Sequence, residues 1–210
     1  MNTSLPAWPW LAPAPLILAS GSATRAGMLR AALLPFEQVL PSIDERAIDE
    51  PLRAAGVVAA DRALALARTK ALAVAQLNRD SIVIGADQTL DALGHPGFKA
   101  ETTAEARQYL LKLCGRAHRL HSAAAVARDG VIMFACVESA TLTVRRCGED
   151  FIDAYLAKAG QHSLSSVGGY RIEGEGVHLF DAIDGDHNVI LGLPLLPVLA
   201  YLRRVGALAA

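Results

Sequence analysis

The run SIVIGAD, from Ser81 to Asp87, is apolar until it reaches a glycine and an acid. A short apolar run rich in β-branched residues reads as a strand buried on both faces, which is at home in α/β proteins whose sheet is covered by helices on both sides. The spacing predicts a central strand that delivers Asp87 at its C-terminal end, where open α/β sheets gather ligands. A buried aspartate must be hydrogen-bonded, paired or metal-bound to offset its desolvation, unless it merely caps the following turn.

The rest of the chain supplies the covering helices and partner strands. Pro15 to Ser20 reads as a short buried strand that runs into a turn at Gly21. A helix follows from Ala23 to about Leu34, with Met28, Leu29, Ala32 and Leu33 on one face. Phe36 to Leu40 reads as another strand, leaving Asp44 and Glu45 in a loop. The alanine-rich segment Val57 to Gln76 has high helix propensity. Thr102 and Glu105 form a capping-box signature for a helix that stops near Gly115. His118 to Ala127 and Val131 to Arg145 flank Asp129-Gly130, a hairpin signal that makes the sheet mixed. Glu149 to Ala159 reads as a helix closed by Gly160, and Pro194 opens a last helix that ends before Gly206. The first 14 residues form a Pro-rich, mobile lead, and 15–206 form one α/β domain. No flexible linker divides it, so two lobes folded around a shared cleft is the simplest arrangement.

Composition narrows the partners. The chain has 210 residues, 52% of them hydrophobic and 20% charged, and a formal charge of −1. Such a balance offers no basic stripe for nucleic acid or an acidic membrane, so anion recognition falls to local Lys and Arg clusters and the partner is a small molecule. The apolar N-terminal stretch carries no Lys or Arg before Arg25 and is interrupted by prolines, which argues against an export signal and for a cytoplasmic protein. Cys114, Cys136 and Cys147 match no zinc spacing and carry no assigned chemistry.

Ser20-Gly21-Ser22, with Arg25 one turn later, lies where a strand meets a helix N-terminus. Free N–H groups and the helix dipole there suit a phosphate, although Ser22 as a plain cap and Gly21 as a plain turn account for the segment equally well. The adjacent acids Asp44 and Glu45 read by themselves as solvated surface. Lys70, Lys99 and Arg116 are scattered, and each acquires meaning only if the fold brings them together. Glu173, flanked by glycines, sits either in a tight turn or where backbone closely approaches a ligand. His178 and His187 read as structural or exposed.

Five blocks in order, LILASGSATRAGMLR, FEQVLPSIDE, VIGADQTLD, AEARQYLLKLCGRAH and GGYRIEGEGVHLFDAIDGDHNVILGLPL, resemble the Maf family of nucleotide pyrophosphatases from about Leu16 to Leu202. The resemblance implies an elongated two-lobed α/β fold, with a central mixed sheet and a cleft between the lobes, related to the inosine-triphosphate pyrophosphatase architecture and often dimeric. It implies Asp87 as the catalytic acid and Glu45 with Asp87 as ligands of Mg²⁺ or Mn²⁺. Ser20, Ser22, Arg25, Lys70, Lys99 and Arg116 then handle the phosphates of a nucleoside triphosphate. The chain departs from the family pattern at Phe98-Lys99-Ala100, where Gly-Lys-Pro is usual, and at Ala117, where threonine is usual.

Four places bear on the base. Gln88 and Glu173 resemble the branch that prefers 7-methyl-GTP, Thr24 matches neither branch, and Gly169-Tyr170 looks more like the branch that prefers dTTP and UTP. A carboxylate suits guanine, which offers N1–H and N2–H₂ donors. The implied activity is release of pyrophosphate from such a triphosphate. The competing reading is a nucleotide-binding regulator of septum formation without turnover.

Overall fold

The computed structural model describes residues 8–92, 95–96, 100–160 and 162–209. Its strands are β1 (Leu16–Ala19), β2 (Phe36–Gln38), β3 (Val83–Ala92), β4 (His95–Pro96), β5 (Ala117–Arg128), β6 (Val131–Val144) and β7 (Phe180–Asp184). The helices are α1 (Ala23–Ala31), α2 (Glu45–Ala54), α3 (Ala59–Ala75), α4 (Thr103–Leu113), α5 (Glu149–Ala159), α6 (His162–Ser165), α7 (His187–Ile190) and α8 (Leu195–Arg204). The strands form a mixed sheet in the order β2-β1-β3-β5-β6-β7, with β4 paired to β3.

β1 runs parallel to both β2 and β3, whereas β3, β5, β6 and β7 follow one another antiparallel. β3 therefore joins the two halves. Its parallel register with β1 ends at Ala19 opposite Gly85, but the strand continues through Asp87 to Ala92, paired with β5. This corrects the expectation that Asp87 closes the strand: it sits mid-strand, just beyond the edge of the parallel half. The antiparallel partner β5 supplies hydrogen bonds that keep the chain extended past the acid, and no local sequence pattern signals a partner so far away.

Side chains alternate across a strand, so each strand feeds two cores. Leu16, Leu18, Ile84, Ala86, Ala124 and Val126 pack with α1 and α8, while Ile17, Ala19, Val83, Ala123, Ala125 and Ala127 pack beneath α3. α3 meets this second face with Ala63, Ala67, Ala71 and Ala75, a stripe at i+4 spacing. Alanine against alanine allows a close approach of helix to sheet. A third core joins Leu90, Leu120 and Leu142 to α4 and α5.

Several boundaries follow from local chemistry as expected. Ser22 and Thr102 cap α1 and α4, and Asp129 and Gly130 both take positive φ in the β5–β6 hairpin. The structure corrects two other expectations. Asp44 and Glu45 are not in a loop, since Asp44 accepts hydrogen bonds from the backbone N–H of Arg46 and Ala47 and Glu45 begins α2. Pro51 within α2 disguised the helix. The lead also packs against the domain at Trp10. Trp10 is buried, donates its indole N–H to the Ala14 carbonyl at 2.9 Å and bridges to Leu208. Among the described residues, no helix is long and apolar enough to cross a membrane.

The third core holds a buried histidine. His118 is 2% exposed, its Nε2 is 2.5 Å from the Tyr170 hydroxyl, and burial lowers its pKa to about 4. An unfolded histidine titrates near 6.5, so the unfolded chain binds the extra proton first on acidification. The stabilisation from neutral His118 is complete above pH 6.5 and is lost as pH falls toward 4, by up to about 3 kcal/mol. Urea unfolding at a series of pH values, compared between the wild type and His118→Asn, is expected to give a flatter acid limb for the variant. Parallel curves would show that His118 does not carry this dependence.

Candidate active site

Alternation along β3 decides where its polar residues point. Asp87 shares the face of Val83 and Gly85, under α3, and Gln88 takes the opposite face with Ile84 and Ala86. Gly85 allows α3 to come so close that a Cβ there would lie 2.3 Å from the Ala67 carbonyl oxygen and 2.5 Å from the Ala71 nitrogen. Lys70, between those two α3 residues, is thereby set against Asp87. Its Nζ donates to Asp87 Oδ1 at 2.7 Å and lies 2.9 Å from Glu45 Oε2 on α2. Both Lys70 and Asp87 are buried, while Glu45 is exposed.

Burial pushes the Asp87 carboxyl above its ordinary range, against the opposing pull of Lys70 and then Arg25. Burial likewise lowers Arg25, opposed by the charges of Asp87 and then Glu45. Arg25, Lys70, Glu45 and Asp87 thus form one electrostatic cluster of two cations and two carboxylates.

Arg25 lies in the first turn of α1 and is held from two sides. Its Nη1 donates to Ser20 Oγ at 3.0 Å, and its Nε donates to the Gly192 carbonyl at 2.7 Å. Ser20 Oγ also accepts the Ser22 N–H at 3.3 Å, and Ser22 Oγ accepts the Arg25 N–H at 3.3 Å. The guanidinium is therefore aimed by a strand end, a helix cap and a distant carbonyl. The β1–α1 junction faces the cluster with both a helix N-terminus and a cation, an arrangement suited to an anion.

The specificity candidates divide into two places. Gln88 donates through Nε2 to Ser122 Oγ, Val189 O and Ile190 O, each at 3.0 Å, and Ser122 Oγ donates to Val189 O at 2.6 Å. The Gln88 amide N–H groups are consumed in fastening α7 to the sheet. Thr24 and Glu173 instead line a cavity of about 450 Å³ with Gly27, Met28, Asn188, Leu191 and Leu195. Apolar walls with one carboxylate and one amide suit a flat heterocycle with polar edges. Glu173 Oε1 lies 3.4 Å from Arg171 Nε.

Not every candidate arrives at this place. Arg116 is exposed and precedes β5, on which Ala123 is the residue opposite Asp87. At the rise of an extended strand this puts it about 20 Å along the sheet from Asp87. Lys99 lies outside the described residues. Ser122, Asn188 and the Gly192 carbonyl are contributions that the sequence reading missed. Ser122 sits in an otherwise apolar strand interior, a buried hydroxyl that must find a partner, and this was the available signal.

Among the described residues, no three His, Cys, Asp or Glu side chains gather into a metal cage. Two carboxylates sharing one ammonium nevertheless suit a hard divalent cation, which can take one or two carboxylates and complete its shell with water and phosphate oxygens. The charge count is compatible with that: two cations against two carboxylates leave little spare positive charge, and an added cation would supply it.

Residues 15–205 match the family model described as Maf-like protein. The chain is 46% identical over 195 residues to the 7-methyl-GTP pyrophosphatase of Rhizobium meliloti (strain 1021), covering 93% of this chain and 98% of that one. It is 50% identical over 202 residues to the nucleoside triphosphate pyrophosphatase of Rhodopseudomonas palustris (strain ATCC BAA-98 / CGA009), covering 95% and 98% respectively. A second 7-methyl-GTP pyrophosphatase, from Mesorhizobium japonicum, is 47% identical over 194 residues, covering 92% and 97%. With matches this long over the β1–α1 junction, β3 and the α7 region, the chain belongs to the Maf-like protein family.

Proposed function

We propose that this protein hydrolyses the α–β phosphoanhydride of a nucleoside triphosphate, releasing the monophosphate and pyrophosphate, and that it prefers a 7-methyl-GTP-like base over dTTP and UTP. The single observation that carries the reading is Lys70 held between Asp87 and Glu45 beside an Arg25 aimed by Ser20 and Gly192. The relatives' names support the same reaction class and do not favour a regulator without turnover.

Arg25 and Lys70 take phosphate oxygens in this mechanism, with Ser20 and Ser22 positioning the former and Lys99 remaining a candidate outer contact. Asp87, pushed toward protonation by burial, is suited to hold the attacking water and accept its proton. Glu45 and Asp87 would hold Mg²⁺ or Mn²⁺. When bound, the divalent ion neutralises phosphate charge and polarises the phosphoryl oxygens. Positioning and electrostatics of this kind supply most of the rate in phosphoryl chemistry.

The base lies in the cavity bounded by Thr24 and Glu173, with Gln88 setting the wall behind it through α7. Glu173 would accept from guanine N1–H and N2–H₂, two adjacent donors where thymine and uracil offer one N–H between two carbonyls. Pyrophosphate release from 7-methyl-GTP, dTTP, UTP, CTP, GTP and ATP tests both levels of the reading. Metal-dependent release is expected, highest for 7-methyl-GTP. In Glu173→Gln, kcat/KM for 7-methyl-GTP is expected to fall by about 10–100-fold with a smaller change for dTTP, the effect of setting an amide N–H against a donor of the bound base. No release from any substrate would overturn the activity, and an unchanged ratio in the variant would overturn the role of Glu173.

A further inference from the structure

Helix α2 brings Glu45 to the site, yet none of its residues is fully buried. Ile48, Asp49 and Leu52 are half-buried on its inner side, and the rest faces outward. A helix normally docks by burying an apolar stripe, and α2 lacks a fully buried one. Its contacts with the rest of the protein are instead marked by ion pairs. Glu45 and Asp49 are one turn apart and share a face, and Arg62 and Lys70, two turns apart, share a face of α3. Glu45 Oε2 lies 2.9 Å from Lys70 Nζ, and Asp49 Oδ1 lies 3.1 Å from Arg62 Nε.

The second pair is unlike an ordinary surface salt bridge. The Arg62 side chain is 6% exposed and that of Asp49 20%. The two facing atoms are close but not aligned as a hydrogen bond, and both are buried without another hydrogen-bond partner among the described residues. Asp49 also accepts from Arg53 Nη2 at 3.2 Å within α2. A desolvated guanidinium needs its counter-charge, so Arg62 ties α2 to α3 at the turn next to Glu45.

We infer that Arg62 and Asp49 form a positioning pair: by docking α2 on α3 they place the Glu45 carboxylate at Lys70 and Asp87, and so set the second donor of the cation site. Neither residue touches the substrate. The inference rests on the proposed function only for its consequence in turnover, since the docking itself is a property of the fold. Release of the pair leaves Asp87 and the nucleotide cavity in place and withdraws Glu45.

The test is the Arg62→Met chain, in which Asp49 keeps Arg53 as a partner and no buried cation is stranded. Hydrogen exchange of α2 amides is expected to rise about tenfold or more, with α3 unchanged. The affinity for Mn²⁺ alone, read from its EPR signal, is expected to fall several-fold, as in Glu45→Gln, and the double variant to lose no more than either single one, the signature of coupled residues. Arg62→Lys, which keeps the charge in case the methionine variant fails to fold, is expected to fall between wild type and Arg62→Met. Wild-type exchange and Mn²⁺ affinity in both variants, or additive losses with Glu45→Gln, overturn the inference. If the wild type releases no pyrophosphate but Arg62→Met still frees α2, the proposed activity fails and the docking role stands.

Discussion

Replacing Asp87 with asparagine is expected to lower the rate of pyrophosphate release by about 10³-fold, the scale of losing a charged group at the reacting centre. The substitution keeps the size and hydrogen-bonding shape of the side chain but removes its charge. On the proposed mechanism water loses its proton acceptor and the cation a ligand, and Lys70 loses the shorter of its two carboxylate contacts. The fold is expected to survive. Lys70 retains Glu45 at 2.9 Å, so no buried ammonium is stranded. Burial already pushes Asp87 toward its neutral form, so neutralising it also removes a desolvation cost. The change in unfolding free energy is expected to stay within about 1–2 kcal/mol. Single-turnover assays with Mg²⁺ or Mn²⁺, run beside thermal unfolding, separate the two effects. A variant that is stable and retains most of its turnover would move the chemistry away from Asp87.

The second large effect concerns a residue with no side chain. In Gly85→Ala the new Cβ would stand 2.3 Å from the Ala67 carbonyl oxygen, 2.5 Å from the Ala71 nitrogen and 2.9 Å from the Ala71 Cβ. The first two are helix backbone atoms, which no rotamer change relieves. Either α3 lifts from the sheet along its alanine stripe or β3 moves, and both routes open a closely packed helix–sheet layer. Overpacking of this kind costs about 3 kcal/mol or more. Activity should fall further than stability alone explains, because Lys70 rides on the displaced turn. Urea unfolding is the direct measurement. A loss below about 1 kcal/mol would show that α3 is not fixed by this contact.

The same position shows what sequence reasoning could and could not see. The alanines of α3 were legible as helix propensity, but Ala63, Ala67, Ala71 and Ala75 also form a stripe at i+4 spacing. Its meaning depends on Ala123, Ala125 and Ala127 on a strand far along the chain. Asp87 was legible as the acid of a buried strand because burying a carboxylate is costly and demands a reason. Its mid-strand position was not, since the antiparallel partner that prolongs β3 is non-local. Glu45 was read into a loop; Pro51 weakens the helix signal of that segment, yet Asp44 was a visible cap residue. Arg116 shows the reverse failure. The resemblance placed it among the phosphate contacts, while register puts it toward the other end of the sheet.

The bond from Arg25 to the Gly192 carbonyl spans 167 positions of the chain, and those from Gln88 to Val189 and Ile190 span 101 and 102. A ribosome delivers the acids and cations of the cluster first and these three carbonyls about a hundred residues or more later. Until they arrive, the guanidinium has only Ser20 to aim it, and the wall behind the base cavity does not exist. A nascent or prematurely terminated chain therefore carries the charged groups without their geometry, and whatever hydrolysis this protein performs begins only once synthesis has passed Gly192.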